Sequence, residues 1–384
     1  MRSLILGGDG YCGWPTALRL SARGMDVSIV DNLSRRRIDR DLGSDSLVAI
    51  QDLEGRVAAW NEASGKRITL HNVDVAEDFG ALVDLLATFQ PDSVVHMAEQ
   101  RAVPYSMMSS AAGQYTIRNN LMATTNLLAA MVEAKVDAHL VHIGSVGVYG
   151  YETLDYEIPE GYLNIRRVLA DGSLAPEEKI LHPFNPVSHY HLTKALDHLA
   201  IAYYAAKFGV RASDLHQGTV WGAETLETLV DPRLANRFDY DTIYGTVINR
   251  FAVQAALGKP ISVYGTGNQT RGFIHIDDVL NCVEAVLASP PTEDGRVRVV
   301  NQVAQTMRIS DLADLFARTG NCEIVRLPSP RAEPPGNDMT VDNISVHNFG
   351  VSPIQISEET VRNLINYVGR HVDAANPDLI YPNN

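Results

Sequence analysis

The sequence is short of cysteine, aromatic residues and long apolar segments, and these shortages exclude several classes of protein. Its 384 residues include three cysteines, Cys12, Cys282 and Cys322, whose scattered positions form neither a disulfide framework nor a zinc site. No apolar run reaches the roughly 18 residues that a membrane-spanning helix needs. The chain opens on a predicted strand rather than on a signal peptide. We therefore expect a reduced, cytoplasmic protein with no membrane partner and no metal.

Basic residues are also scarce. The 32 lysines and arginines face 46 aspartates and glutamates, which leaves a formal net charge of −14. Such a surface repels phosphate backbones, so we expect no nucleic-acid partner, and an anionic small substrate would need arginines concentrated at one place. A hydrophobic content of 45% is enough for a sizeable core, in one large domain or in one domain with a lobe.

Apolar runs alternate with helical patterns through the first half of the chain. This alternation predicts an α/β fold, a Rossmann-type doubly wound parallel sheet built from right-handed βαβ units. The strands are predicted at Ser3–Gly7, Asp26–Asp31, Arg67–His71, Ser93–Met97, His139–Ile143 and Arg211–Leu215. The helices are predicted at Gly13–Ala22, Ser46–Glu62, Phe79–Phe89, Ala111–Ala134 and Val187–Phe208, with Asn32–Asp45 as a polar connection.

The residue composition changes at two places along the chain, and these changes suggest its domain organisation. Tyr151–Pro186 is polar with scattered prolines and glycines, which predicts an irregular excursion over the active-site end of the sheet. After Gly218, short helical and strand patterns mix. We therefore predict a dinucleotide-binding domain at 1–218 and a smaller C-terminal α/β substrate-binding lobe at 219–384, interleaved with the first domain.

A glycine-rich turn follows the first predicted strand. Gly7, Gly10 and Gly13 have the spacing G-x-x-G-x-x-G and open a helix. They permit a tight turn, close approach of a pyrophosphate and close helix–strand packing, and the helix N-terminus favours the anion. Asp31, at the end of the second strand, can accept hydrogen bonds from ribose hydroxyls and repels a 2′-phosphate, which favours NAD over NADP. Five further candidates for cofactor binding follow the second and third strands: Asn32, Arg35, Arg36, Asp74 and Val75. The arginines could favour NADP instead, but the aspartate at the strand end outweighs them.

Three residues suggest how a secondary alcohol could be oxidised. Tyr190 and Lys194 lie one turn apart on a helix, and Ser145 follows the fifth strand. A free tyrosine, with a pKa near 10, is a poor base at neutral pH. A nearby ammonium and a positive nicotinamide stabilise the phenolate, while the serine hydroxyl can bond the reacting oxygen. The same lysine and tyrosine can contact the nicotinamide ribose.

Together these residues resemble the extended short-chain dehydrogenase/reductase superfamily, and further motifs resemble UDP-sulfoquinovose synthases in particular. The narrower motifs are Gly7–Trp14, Glu99–Arg101, Pro104–Met107, Tyr190–Leu192, Gln217–Gly218, Asn249–Phe251, Gly265–Gly272 and Pro330–Arg331. The resemblance implies tightly bound NAD, a nucleotide-sugar substrate and a homodimer. It adds Tyr11, Cys12, Ala98, Glu99 and Asn119 to the cofactor site. It makes His191 an acid/base or a sulfonate contact, and it assigns substrate binding to Arg101, Tyr105, Ser145, Gln217, Asn249, Gln269, Arg271 and Arg331.

The sequence departs from that family after the fifth strand, where Val148 stands in place of a glutamate. A valine cannot move protons, whereas elimination across C5 and C6 of the sugar needs a base and an acid. Our leading hypothesis is therefore an NAD-dependent epimerase that transiently oxidises C4. The alternative is a UDP-sulfoquinovose synthase that uses His191 and adds sulfite to UDP-glucose. A dehydratase is disfavoured, and a non-catalytic NAD sensor would have no need of Tyr190, Lys194 and Ser145.

Overall fold

In the part of the chain that the structure describes, the strands form one large sheet and three small ones. The computed structural model describes residues 1–151, 154, 156–292, 295–329 and 337–381. The strands of this part are β1 Arg2–Leu6, β2 Asp26–Val30, β3 Ile68–His71, β4 Ser93–His96, β5 His139–Ser145, β6 Tyr162–Ile165, β7 Glu178–Leu181, β8 Ala212–Gln217, β9 Thr219–Trp221, β10 Ile261–Tyr264, β11 Thr270–His275, β12 Arg298–Gln302, β13 Gln305–Arg308 and β14 Ile324–Leu327.

The helices follow the strands in regular alternation through the first half. They are α1 Gly13–Ala22, α2 Ser34–Leu42, α3 Leu53–Ser64, α4 Phe79–Phe89, α5 Val103–Met107, α6 Ser110–Glu133, α7 His189–Phe208, α8 Val247–Ala256, α9 Ile276–Ala288, α10 Ile309–Gly320, α11 Ile344–Asn348 and α12 Glu358–Gly369. None of the helices in the described ranges is long and apolar enough to cross a membrane.

The large sheet has seven parallel strands in the order β12-β8-β5-β4-β1-β2-β3. Strands such as β1 and β4 are buried, apart from Arg2 at the start of β1, because helices cover both faces of the sheet. Side chains of α1, α3 and α9 pack in one core and those of α4, α6 and α7 in another. The strand order reverses between β1 and β4, where a doubly wound sheet leaves a crevice for a ligand. The predicted fold class is thus confirmed.

A smaller α/β lobe carries its own apolar core. It contains the sheets β13-β11-β9 and β10-β14, and Phe238, Phe251, Phe316 and Tyr367 meet in its core. One strand from this half of the chain, β12, instead pairs with β8 in the large sheet. The boundary that we placed at residue 218 remains a prediction.

The prediction for Asn32–Asp45 was wrong, because this polar connection contains the helix α2. Its side chains are held by ion pairs rather than by apolar burial: Arg35 contacts Asp39 one turn later, and Arg36 binds Asp9. The next helix begins later than predicted, at Leu53, because the Asp52 carboxylate accepts a 2.7 Å hydrogen bond from the Gly55 amide and caps it there.

The excursion at 151–186 is only partly irregular. It contains the hairpin β6–β7, and the Tyr162 hydroxyl donates to the Val297 carbonyl beside β12 at 3.0 Å. At its start, the Tyr151 ring lies 5.6 Å from the His191 ring, next to the predicted catalytic residues. The excursion therefore contacts the site at its beginning and the edge of the large sheet further on.

Candidate active site

The glycine turn has the geometry that a bound pyrophosphate requires. Gly7 has a φ of 84°, and a Cβ there would lie 2.6 Å from the Met97 carbonyl oxygen. A Cβ on Gly13 would lie 2.1 Å from the Gly7 oxygen, so any side chain would prevent α1 from packing against the turn. The turn opens into a cavity beside the crossover between β1 and β4. This cradle fits a dinucleotide at the place where the fold binds one.

Most predicted cofactor residues line that cavity. They are Gly7, Gly10, Tyr11, Cys12, Gly13, Asp31, Asn32, Arg35, Asp74, Val75, Ala98, Glu99, Asn119, Tyr190 and Lys194, together with Arg101 and Gln217 from the predicted substrate set. Asp31 is held in place by amide hydrogen bonds from Asp9 at 2.9 Å and Leu33 at 2.7 Å. Burial raises the pKa of Asp31, and these two amides oppose the rise.

Arg36 differs from the other predicted cofactor residues, because it does not line the cavity. Its guanidinium binds Asp9 with two hydrogen bonds, of 2.6 and 2.7 Å, and the fully buried Arg56 adds a third contact at 3.1 Å. Asp9 thereby fixes the glycine turn to α2 and α3. The sequence did not predict this structural role of Asp9, because the glycine motif does not specify the residue at that position.

A cluster of arginines closes one side of the cavity, and we call Arg35, Arg101, Arg237, Asp239 and Tyr244 the arginine clamp. Asp239 receives Arg101 at 2.5 Å, Arg35 at 3.1 Å and Arg237 at 3.4 Å. The Arg35 guanidinium lies 3.4 Å from the centroid of the Tyr244 ring. Although burial opposes it, the charges of the three arginines lower the pKa of Asp239. Arg237, Asp239 and Tyr244 were missed because they lie about 200 residues beyond α2 in a loop without a motif.

Ser145, Tyr190 and Lys194 converge at the carboxyl end of β5. Ser145 ends the strand, and its hydroxyl accepts a 3.1 Å hydrogen bond from the Gly147 amide. Tyr190 lies in the first turn of α7, and the Lys194 ammonium is 6.0 Å from its ring centroid. Burial raises the pKa of Tyr190, whereas Lys194 and a hydrogen bond with Ser145 lower it. The Lys194 ammonium also donates to the Ile143 carbonyl at 2.5 Å and pairs with Glu99 at 2.7 Å.

His191 lies beside this group, pressed against the strand-end turn. A Cβ on Gly147 would lie 2.1 Å from His191 Nε2, so glycine is required there. The centroid of the His191 ring is 5.4 Å from that of Tyr190 and 5.6 Å from that of Tyr151. On the far side, the Arg271 guanidinium lies 4.4 Å from the centroid of the Tyr151 ring. A row of rings thus connects Tyr190 to β11 of the smaller lobe.

Val148 is fully buried in an apolar cluster with Ala195 and Met339. Among the described residues, the acidic side chains that line the cavity are Asp9, Asp31, Asp74 and Glu99, which belong to the glycine turn or to the predicted cofactor set. Glu152 and Asp155 lie outside the described residues. The described part of the strand-end turn therefore offers no carboxylate to a substrate.

The other predicted substrate residues are dispersed. Asn249 donates to the Asp239 carbonyl at 3.0 Å and supports the arginine clamp, and Tyr105 stacks between Tyr115 and Tyr244. The Gln269 carbonyl accepts from the Ile309 amide in the smaller lobe, where Arg271 also lies. Arg331 lies outside the described residues. The roles of all these residues, and the expected absence of a metal, remain predictions.

Comparison with known proteins identifies the family. Residues 3–301 match the model of the NAD dependent epimerase/dehydratase family. The chain is 40% identical to a chloroplastic UDP-sulfoquinovose synthase of Spinacia oleracea, over 99% of this chain and 78% of that one. It is 35% identical to a UDP-sulfoquinovose synthase of Sulfolobus acidocaldarius, over 95% and 92%. A UDP-glucose 4-epimerase of Thermotoga maritima, solved with UDP-glucose, superimposes with a TM-score of 0.70 at 19% identity, over 96% and 99% of the chains.

Proposed function

The chain belongs to the NAD dependent epimerase/dehydratase family, and on this premise we propose that it transiently oxidises C4 of a nucleotide-linked hexose. NAD is the cofactor, and when bound it supplies the hydride acceptor. We assign its pyrophosphate to the glycine turn, its adenosine ribose to Asp31 and its adenine to Asp74 and Val75. The arginine clamp lines the same cavity, and we assign to it the tight binding of NAD.

The protein's own residues move and hold the proton. Tyr190 as phenolate takes the proton of the C4 hydroxyl, and Ser145 donates a hydrogen bond to the same oxygen as it becomes a carbonyl. Lys194 stabilises the phenolate by its charge, because an opposite charge a few ångströms away favours the ionised form. On return of the hydride, Tyr190 gives the proton back. Arg101, Arg271 and Arg331 are our candidates for the diphosphate, whose oxygens suit a guanidinium fork.

We propose C4 epimerisation as the net reaction, and the burial of Val148 among apolar side chains is the observation that carries this choice. Elimination across C5 and C6 needs a group that removes the C5 proton, and the described strand-end turn supplies none. An epimerase needs only the oxidation, a turn of the keto sugar in its pocket and the return of hydride to the other face.

Synthesis of a sulfonated sugar is the second candidate. Two relatives at 35% and 40% identity carry the name UDP-sulfoquinovose synthase and match over nearly the whole chain. His191, packed between Tyr190 and Tyr151, is the residue that would serve as acid and base in that reaction. In this case the same oxidation at C4 would be followed by loss of water across C5 and C6, addition of sulfite at C6 and return of the hydride to C4, so that the net change is replacement of the C6 hydroxyl by sulfonate.

One experiment distinguishes these reactions. The purified protein is denatured to identify its cofactor, and fresh enzyme is incubated with UDP-glucose in deuterium oxide, with and without sulfite. Epimerisation gives a product of unchanged mass, inverted at C4, without deuterium at C5. A mass gain equal to sulfite less the water that it replaces, or exchange of the C5 proton, would contradict epimerisation, and the mass gain would establish the second candidate. Bound NAD with neither product would direct the search to other nucleotide sugars.

We also propose that the protein is a homodimer. The helices α6 and α7 pack side by side and present exposed apolar side chains, including Met122 (41% exposed), Leu199 (50%) and Tyr203 (55%). Side chains of this kind on adjacent helices are typical of a surface that another protein covers. A second copy of the same pair of helices offers a matching apolar surface.

A further inference from the structure

A second group of ionisable side chains lies behind Lys194, away from the cavity. We call His142, His198, Asp214 and His216 the histidine cluster, and all four are 0% exposed. They come from three adjacent elements, since His142 lies on β5, His198 on α7, and Asp214 and His216 on β8. Burying four ionisable groups is costly unless they satisfy one another by charge and hydrogen bonding. The oxidation chemistry proposed above uses none of them.

Asp214 is the centre of this cluster. Its Oδ1 accepts from His142 at 2.8 Å, and its Oδ2 accepts from His198 at 2.7 Å and from His216 at 3.1 Å. Although burial opposes it, these imidazoles lower the pKa of Asp214 well below its usual range. The carboxylate is therefore a fixed negative charge in the interior, with its orientation set by His198 and His216.

His142 lies between two carboxylates. Its Nδ1 faces Asp214 at 2.8 Å, and its Nε2 faces Glu99 at 3.2 Å. The same Nε2 also lies 3.3 Å from the Lys194 ammonium. The two carboxylates favour a ring that carries both protons, and the Lys194 charge opposes it. Burial and Lys194 act to lower the pKa of His142, but Asp214 and Glu99 outweigh them and raise it to about 9.

Glu99 thus has two cations for one negative charge. Lys194 binds its Oε2 at 2.7 Å, and His142 binds its Oε1 at 3.2 Å. Of the remaining ionisable neighbours, His96 is neutral, because burial lowers its pKa to about 3. Burial and the Glu99 charge raise the pKa of Asp197, which favours its neutral form, and burial lowers the pKa of His216. Lys194 and His142 therefore balance Glu99 and Asp214.

This balance bears on Tyr190, the base of the proposed function. The Lys194 charge lowers the pKa of Tyr190, whereas the Glu99 charge raises it. A lysine whose charge is fully offset by Glu99 would do little for the phenolate. When His142 also binds Glu99, it offsets the Glu99 charge, so that the Lys194 charge can still lower the pKa of Tyr190.

We propose that His142, held as an imidazolium by Asp214, is a positioning residue that neutralises Glu99 and so leaves the Lys194 ammonium available to stabilise the Tyr190 phenolate. The inference rests on the proposed function only in taking Tyr190 as the base. His198 and His216 act one step further away, by holding Asp214. The histidine cluster thereby makes the interior behind the catalytic residues part of the acid–base machinery.

The test compares H142Q with H139Q, which removes another buried imidazole of β5 that bonds Ser213 and does not touch Glu99. In the NAD-loaded enzyme, Tyr190 is titrated by the ultraviolet difference between each variant and the same variant carrying Y190F. We expect H142Q to raise the pKa of Tyr190 by about one unit, and reduction of bound NAD at neutral pH to slow about tenfold and recover at higher pH. H139Q should leave both quantities unchanged.

The double variant E99Q/H142Q separates this role from a merely structural one. With Glu99 neutral, Lys194 needs no second cation beside it, so the pKa of Tyr190 in the NAD-loaded protein should return towards the wild-type value. An equal titration of Tyr190 in H142Q and H139Q, or a double variant no better than H142Q, would overturn the proposal. Because the titration needs no substrate, its outcome is independent of the nucleotide sugar and of the net reaction.

Discussion

Tyr190 is the side chain whose replacement separates an enzyme from a protein that only binds a dinucleotide. Phenylalanine keeps the ring beside His191 and removes the hydroxyl that exchanges the proton. We expect Y190F to lower the rate of sugar turnover by roughly 100- to 10,000-fold. NAD content after purification should stay at the wild-type level. Equal turnover by wild type and Y190F would contradict the assigned base.

Glu160 makes the stability of the fold depend on pH. Burial raises its pKa to about 7, although it accepts from the Asn301 amide at 3.1 Å and from Ser345. Between its ordinary pKa and this value the native state binds more protons than the unfolded chain, so stability is greatest at low pH and is lost as the pH rises towards 7.

The variant E160Q should remove the loss of folding stability that the Glu160 carboxylate causes as the pH rises. We expect its melting temperature to exceed that of the wild type by a few degrees at pH 8, and the two to differ little at pH 5. Thermal unfolding of both proteins at the two pH values measures the effect. A difference that is the same at both pH values would show that the carboxyl group does not titrate in this range.

Single residues also show how far sequence can predict a site. The glycine turn, Asp31, Ser145, Tyr190 and Lys194 were predictable because each occupies a fixed place relative to a strand end or a helix turn. Asp239 and Tyr244 of the arginine clamp, and His142 of the histidine cluster, were not. Their partners are distant along the chain, and their ionisation depends on burial that no local pattern reveals.

At the scale of elements, the loop between β9 and α8 connects the smaller lobe to the cofactor turn. Asn236 donates to the Tyr11 carbonyl at 3.0 Å, and the Trp14 indole donates to the Leu234 carbonyl at 2.9 Å. Asp239 then joins Arg35 of α2 to Arg101. The loop and α2 together form the wall of the cavity over the glycine turn.

We expect D239N to weaken this wall, because it leaves three arginines close together without their shared counter-charge. Bound NAD should be lost during gel filtration, and the Kd for NAD should rise at least about tenfold. D231N is the control, since Asp231 pairs with Arg233 at the surface at 2.7 Å. If D239N kept its NAD as firmly as D231N, the clamp would have no part in retaining the cofactor.

A comparison of the helices explains why α2 was not predicted. Apolar periodicity identified α1, α4, α6 and α7, whose apolar faces cover the sheet. In α2 only Asp39 is buried, and the helix is fixed by ion pairs with Asp9 and Asp239. A helix held by charges that come from elsewhere in the chain carries no apolar signal of its own.

For the whole molecule, the exposed face of α6 and α7 determines the state of assembly that we propose. The variant L199D/Y203D places two charges on this face, and we expect it to sediment as a monomer where the wild type sediments as a dimer. The control is L226D, because Leu226 is 77% exposed in a loop outside both helices. A wild-type monomer, or a double variant that stays dimeric, would exclude this interface.

The parallel pairing of β8 with β12 has a consequence for the order in which the chain can fold. While the ribosome has released only the first two hundred or so residues, β8 is an open edge that exposes unpaired amide and carbonyl groups, and such edges invite association between chains. The strand that covers this edge emerges about 80 residues later. Synthesis of the large sheet thus finishes only after β9, β10 and β11 of the smaller lobe have been made. A fragment that ends at residue 218 should therefore aggregate during expression where the full chain does not.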